Sequence, residues 1–313
     1  MKLFIYCLTL LLAIIITTSC ENESIKLYHP KPDEEEKPIE WLLETVDYPE
    51  AGLGFIRRND LKFLYDDNYS LQMINNTSDA YNVDYKKGKI AFSRKTEASS
   101  YITYDSLILK LDENDRAIYG LHTTYRDMLN EKDANKVQDD SMRFSYDSQG
   151  YLIKLDRYAW TGYKEPSYTE EYTIKDGNIV EIITHNASYN FKYSFFYNES
   201  EYTQASRYCF EMMHNTVSLT SGNGCLLLTN LVFMSDYLGK KSKNNVIRVL
   251  IERVVQGKAE LYAEVQYDYK YDENNLLTQV TLNGIVNNND IPEGYTISFG
   301  YQKKGEDEKN PAR

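Results

Sequence analysis

Tyr146-Asp147-Ser148-Gln149-Gly150-Tyr151-Leu152-Ile153-Lys154-Leu155 decides the fold reading of this chain. The tyrosine ends one strand on its packed face. Asp147 can bond its own backbone, and Gly150 accepts the positive φ that a tight reversal demands. Leu152 then returns the chain to the core. On the upstream side Met142-Arg143-Phe144-Ser145-Tyr146 alternates in character, the period-two mark of a strand with one buried face.

The same pattern recurs. Tyr65-Asp66-Asp67-Asn68-Tyr69-Ser70-Leu71 is a second copy, and Tyr271-Asp272-Glu273-Asn274-Asn275-Leu276-Leu277 a third. Leu111-Asp112-Glu113-Asn114-Asp115-Arg116-Ala117 is weaker, and Tyr85 to Ile90 and Ile174 to Ile179 are shorter versions. Tyrosine suits such strands because it is large, favours sheet, and keeps a polar tip. The prediction is a mainly β chain: one large twisted antiparallel meander of repeated hairpins. One or two short helices pack on it. Residues 225–239 are apolar at helical spacing, with Gly239 as the left-handed stop and Lys240, Lys241 and Lys243 at the negative end of the dipole. Trp41 to Val46 is the second helix candidate.

Composition narrows the classes. The 313 residues include 29 tyrosines and 11 phenylalanines, too many aromatic rings for a chain that buries no core. The formal charge of −12 makes nucleic acid a poor partner. Only the first twenty residues hold a long apolar run, so a bundle of membrane helices is excluded.

That run has its own meaning. Met1-Lys2 is a basic start, Leu3 to Ile16 is almost wholly apolar, and Thr17-Thr18-Ser19 precedes Cys20. This is the layout of a secretory signal. It also resembles the lipobox of bacterial lipoproteins, whose cysteine thiol receives a diacylglycerol and becomes the new N-terminus; Thr17 stands where that box usually carries Leu. Each buried methylene adds about 0.8 kcal/mol to attachment, so a multiply acylated Cys20 would tether a water-soluble domain without a spanning helix. The expected organisation is a signal over 1–19, an acidic, proline-containing tether over 20–38, a single β-rich domain over 39–304 and a polar tail over 305–313. Acidic residues soon after Cys20 resemble the Bacteroidota signal for export to the outer leaflet. The expected location is therefore the outer membrane, facing the cell surface, with the periplasmic face as the alternative.

The Tyr-Asp turns resemble the tandem repeats of Rhs-type secreted proteins, and more closely a family of uncharacterised Bacteroidota lipoproteins with loose copies of the motif. The likeness spans most of residues 50–303. It departs from the Rhs pattern where Tyr151, not Arg, follows Gly150, and in its irregular spacing. The resemblance implies an envelope lipoprotein and no particular activity.

Few residues point to chemistry. Cys7 leaves with the signal and Cys20 takes lipid. Cys209 and Cys225 either pair, closing a loop of about 16 residues worth about 3 kcal/mol, or remain two separately buried thiols. His29 lies in the tether, and His122, His185 and His214 match no triad or metal motif; each reads as a surface or half-buried strand residue. Asp112-Glu113-Asn114-Asp115 lacks the glycine and distal glutamate of a calcium loop. No catalytic residue, metal or cofactor is assigned. Tyr158, Trp160 and Tyr163 form an aromatic group that could stack on sugars, against the plainer reading of a core tryptophan with strand tyrosines. The functional expectation is a non-catalytic structural or binding platform held to the membrane by its N-terminal lipid. A glycan- or nutrient-binding accessory protein is the alternative, with glycan or another envelope protein as partner; an enzyme with an unrecognised site is a third reading.

Overall fold

A computed structural model describes residues 41–48, 60–75, 80–128, 135–159, 164–186, 190–201 and 237–304. These residues are mostly strand, joined by turns. The strands are β1 (Trp41–Asp47), β2 (Leu61–Tyr65), β3 (Leu71–Asn75), β4 (Ala80–Lys86), β5 (Lys89–Glu97), β6 (Tyr101–Leu111), β7 (Ala117–Met128), β8 (Asn135–Tyr146) and β9 (Leu152–Tyr158). They continue as β10 (Tyr168–Lys175), β11 (Asn178–Asn186), β12 (Asn190–Glu201), β13 (Asn244–Val255), β14 (Lys258–Tyr271), β15 (Leu277–Val286), β16 (Asn289–Asp290) and β17 (Thr296–Lys303).

Every neighbour pair is antiparallel and nearly every strand pairs with the next in sequence, so the meander expectation holds along the chain. The sheet is nevertheless not open. β1 pairs with β17 over six residue pairs, from Trp41↔Lys303 to Asp47↔Ser298, and also with β2 at Thr45↔Lys62 and Val46↔Leu61. β17 in turn pairs with β15, while the two-residue β16 pairs only with β15. Sixteen strands therefore close into a ring, and closure leaves no edge strand. The open twisted sheet of the sequence reading is corrected to a closed antiparallel barrel.

The helix expected over Trp41 to Val46 is corrected too. That segment is β1, the strand that joins the two ends of the meander. Residues 225–236 of the other helix candidate lie outside the described residues. Gly239 does take the left-handed conformation (φ +78), but in a chain segment that crosses the barrel rim. The Lys240 N–H beside it donates to Gly150 O at 2.9 Å, and a Cβ on Gly239 would lie 2.4 Å from that same oxygen.

The Asp-led segments build one rim. Asp66, Asp112, Asp147 and Asp272 each open a five-residue turn of the same geometry. In each, Oδ1 accepts the backbone N–H of the residues two and four positions on, at 2.8–2.9 Å. The fourth residue of each turn has positive φ: Tyr69 (62°), Asp115 (56°), Gly150 (94°) and Asn275 (62°). The shorter reversals at Gly88 and Gly177 fall on the same side, because strands alternate in direction and these six connections all follow a strand running the same way.

Strand-end tyrosines fasten this rim. Tyr65, Tyr146 and Tyr301 donate their hydroxyl protons to Leu43 O (2.9 Å), Ala117 O (2.7 Å) and Leu277 O (2.9 Å), each on the preceding strand of the ring. Tyr269 bonds Val246 O at 2.5 Å and Tyr197 bonds Ile179 O in the same way. Burial pushes the Tyr197 hydroxyl up to about 12 and raises Tyr146 as well, so both stay protonated donors.

The core lies inside the ring. One contiguous cluster of buried apolar side chains draws on fifteen of the sixteen ring strands, and only the interior of a closed barrel touches them all. Counting in twos from a rim residue follows it: Tyr146, Phe144 and Met142 on β8; Leu111, Leu109 and Leu107 on β6. The alternate residues face outward and are mostly polar. Examples are Asn82, Asp84, Ser93 and Lys95 on β4–β5, Glu171 and Thr173 on β10, and Glu264, Gln266, Asp268 and Lys270 on β14.

Candidate functional site

Toward the end of the barrel opposite the Asp-led rim, the interior changes chemistry. Inward positions on β5–β11 carry Arg94, Asp105, His122, Thr124, Asp140, Arg157, Glu170 and Thr184. Their cross-strand registers link them: Arg94↔Asp105, Asp105↔Thr124, His122↔Asp140 and Glu170↔Thr184. Arg157 stands opposite Met142 on one side and Tyr168 on the other. The result is a belt of ionisable groups on successive strands, on the inner face of the wall.

Two ion pairs anchor the belt. Arg94 donates to Asp105 Oδ2 through Nε (3.1 Å) and Nη2, and through Nη1 to the Tyr81 hydroxyl at 3.2 Å. Thr124 Oγ1 donates to the other oxygen, Asp105 Oδ1, at 2.6 Å. Arg157 Nη2 donates to Asp140 Oδ2 at 2.5 Å. Glu170, only 2% exposed, accepts hydroxyl protons from Tyr168 (2.6 Å to Oε1) and from Tyr172 on Oε2. Thr184 Oγ1 accepts the Phe191 N–H at 2.9 Å. Charged groups survive in an interior when they are paired or hydrogen-bonded: the two aspartates have arginines, and Glu170 has two tyrosine hydroxyls.

His122 is the exception. It is 0% exposed, and neither Nδ1 nor Nε2 has a hydrogen-bond partner among the described residues. Burial holds the imidazole below the usual histidine range; the charges of Asp105 and Asp140 pull it up, and those of Arg157 and Arg94 push it down again. The neutral form is therefore the folded form at pH 7. The reading of His122 as a surface or half-buried residue is corrected: the imidazole is sealed inside the wall. His185 is exposed, 3.6 Å from Glu171 on the outer face.

The other sequence candidates do not gather here. Cys20, Cys209, Cys225, Trp160 and Tyr163 lie outside the described residues. Tyr158, at the far end of β9, points outward yet is only 8% exposed, with the Arg143 guanidinium 5.1 Å over its ring. The Asp112 carboxylate is occupied by its turn N–H groups and by Arg116 (Nη2 at 2.7 Å). Among the described residues no group of three or more His, Cys, Asp or Glu is placed to hold a metal ion.

The belt had a sequence signal that composition hides. On β7 the large side chains Tyr119, Leu121 and Tyr125 suggest the buried face, but they point outward, and Gly120, His122 and Thr124 point in. Gly120 leaves room for Met142, whose Cε would be 2.8 Å from a Cβ there. Counting back in twos from Tyr146 and from Leu111 places Asp140 and Asp105 inside.

No protein-family model matches the chain, and no curated protein sequence matches it. Solved structures do. A porin-like protein from Bacteroides uniformis ATCC 8492 superposes with a TM-score of 0.54 at 12% identity, covering 85% of this chain and 98% of that one. A porin-like protein from Bacteroides vulgatus ATCC 8482 gives 0.53 at 12% identity, covering 83% and 98%. At that identity the likeness is one of fold: a closed antiparallel barrel.

The side chains decide how such a barrel meets its surroundings. A membrane-spanning barrel carries an apolar band outside and a polar lumen inside. In this chain the interior is an apolar cluster with a buried polar belt, and the outer wall carries cross-strand ion pairs. Lys192 meets Glu181 at 2.9 Å and Arg248 meets Glu264 at 2.9 Å, all on outward positions. An outward Arg or Lys at a bilayer midplane costs about 2–4 kcal/mol, and the described wall carries such charges alongside exposed apolar side chains such as Tyr104, Ile108 and Phe196. No helix among the described residues is long and apolar enough to cross a membrane either.

Proposed function

We propose that this chain is a non-catalytic, lipid-anchored protein of the bacterial envelope, in which a water-facing barrel acts as a structural or binding platform and Cys20 supplies the membrane attachment. The observation that carries the reading is the polarity of the wall, apolar inside and charged outside. A barrel of that kind needs a separate anchor to stay at a membrane, and Thr17-Thr18-Ser19-Cys20 is the segment suited to provide one. The acidic stretch after Cys20 favours the outer leaflet facing the cell surface. The interior belt supports the non-catalytic reading, since its carboxylates are engaged with arginines, threonine and tyrosines and sit behind the wall.

Labelled palmitate should enter the protein, and Cys20→Ala should abolish both the labelling and the sedimentation of the full chain with membranes. A Cys20→Ala chain that remains in the membrane fraction after an alkaline wash would overturn the proposal.

A glycan-binding role has one observation in its favour. Tyr104 and Tyr125 stand directly opposite on β6 and β7, outward and 41% and 39% exposed, so two flat rings share one patch of wall. Loss of binding to an immobilised glycan panel in a Tyr104→Ala/Tyr125→Ala double variant would support it; no binding by the parent chain across the panel would remove it.

A further inference from the structure

We infer that His122 is an acid-responsive element that loosens the β6–β8 wall of the barrel by drawing Asp140 and Asp105 away from their arginine partners. This holds however the chain is anchored, because it follows from the arrangement around the ring. His122 sits on the middle strand of three, sealed from water, with neither nitrogen hydrogen-bonded among the described residues. Asp140 lies directly across from it on β8, and Asp105 lies one inward position along β6 from Leu107, its partner there. Arg94 on β5 and Arg157 on β9 are the charged groups on the strands beyond, and each holds one of these carboxylates.

A neutral imidazole in this position asks nothing of its neighbours. A protonated one becomes a cation with two N–H donors in a dry wall, and the nearest anions are Asp140 and Asp105. Both are already committed, Asp105 to Arg94 and Thr124, Asp140 to Arg157. With Arg94, Arg157 and the imidazolium set against Asp105 and Asp140, three buried cations face two anions, so a gain of one proton leaves one charge uncompensated and strains the pairs on five adjacent strands. Either the Arg157–Asp140 pair opens to admit the imidazolium, or the wall parts and His122 reaches water. Both outcomes weaken pairing at Leu121–Thr124 and Asp139–Met142. The Asp-led rim at the other end, built from turns that hold no histidine, is left intact.

Amide hydrogen exchange on the full chain tests this, corrected for the intrinsic pH dependence of exchange. Between about pH 7.5 and about pH 5, protection at Leu121–Thr124 and Asp139–Met142 should fall by on the order of ten-fold or more, while protection flanking Asp66, Asp147 and Asp272 is unchanged. His122→Gln and His122→Leu should abolish the difference, and His185→Gln, on the outer wall, should retain it. If both His122 variants unfold, the imidazole carbon resonance of His122 in the parent chain decides: its titration should coincide with the loss of protection. Loss of protection that persists in a folded His122 variant, is uniform around the barrel, or occurs without titration of His122 would overturn the inference.

Discussion

Replacing Tyr146 by Phe removes one oxygen atom and leaves the ring in place. In the parent chain that hydroxyl gives its proton to Ala117 O at 2.7 Å, tying the end of β8 to the start of β7 beneath the Asp147 turn. A net hydrogen bond contributes about 0.5–1.5 kcal/mol, and a buried carbonyl left without its partner adds a desolvation cost of about 1–3 kcal/mol. Ala117 is 0% exposed, so water cannot fully replace the lost donor, and a loss of about 1.5–2.5 kcal/mol is expected. Tyr65→Phe and Tyr301→Phe, whose hydroxyls make the same bond to Leu43 O and Leu277 O, should each cost about 1–2 kcal/mol. Tyr104→Phe, on the outer wall, should stay within about 0.5 kcal/mol of the parent. Urea unfolding followed by circular dichroism measures all four, with the midpoint shifting at constant m. If the three rim variants match Tyr104→Phe, the hydroxyl latches do not hold the rim and the account of why tyrosine recurs at these strand ends is wrong.

His122 gives a second test, now of global stability. Its folded state resists protonation while the unfolded chain binds a proton near pH 6.5. Stability should therefore fall as pH drops below about 6.5, by up to about 1.4 kcal/mol per pH unit until the folded form also protonates, and His122→Gln should flatten that slope in urea titrations at several pH values. Gly284→Ala should prevent folding or cost several kcal/mol, because its φ is +130 and a Cβ would lie 2.0 Å from Glu264 O; Gly88→Ala, with no atom within 4 Å of its Cβ position, should cost only about 1 kcal/mol for its positive φ, both read from thermal melts. Arg157→Ala should destabilise by about 3–5 kcal/mol at pH 7, since it leaves the buried Asp140 without its guanidinium, and the penalty should shrink in Arg157→Ala/Asp140→Asn.

Local chemistry was legible in the sequence, and closure was not. Asp147, Ser148, Gln149 and Gly150 specify a reversal through contacts within five residues, so the turns and the strands beside them could be read without coordinates. Closure depends on Trp41 to Asp47 meeting Ser298 to Lys303, residues more than 250 positions apart in the chain, and no local pattern encodes that register. The apolar run Trp41-Leu42-Leu43 with Val46 fits a helix turn as well as a strand, and the pairing with β17 settles it. The interior belt was hidden for a different reason. On β7 the bulky residues face outward and the small and polar ones face in, so hydrophobic alternation points to the wrong side; only the position of the neighbouring turns fixes which phase is buried.

The barrel keeps its apolar cluster inside and turns its charged positions outward. Spin labels at the outward positions Ser93, Glu181 and Gln266, in the full chain bound to vesicles, test it by comparing collisions with a water-soluble nickel reagent and with oxygen. High nickel accessibility is expected at all three. A mid-strand band shielded from nickel and enriched in oxygen would place the wall in lipid and contradict it.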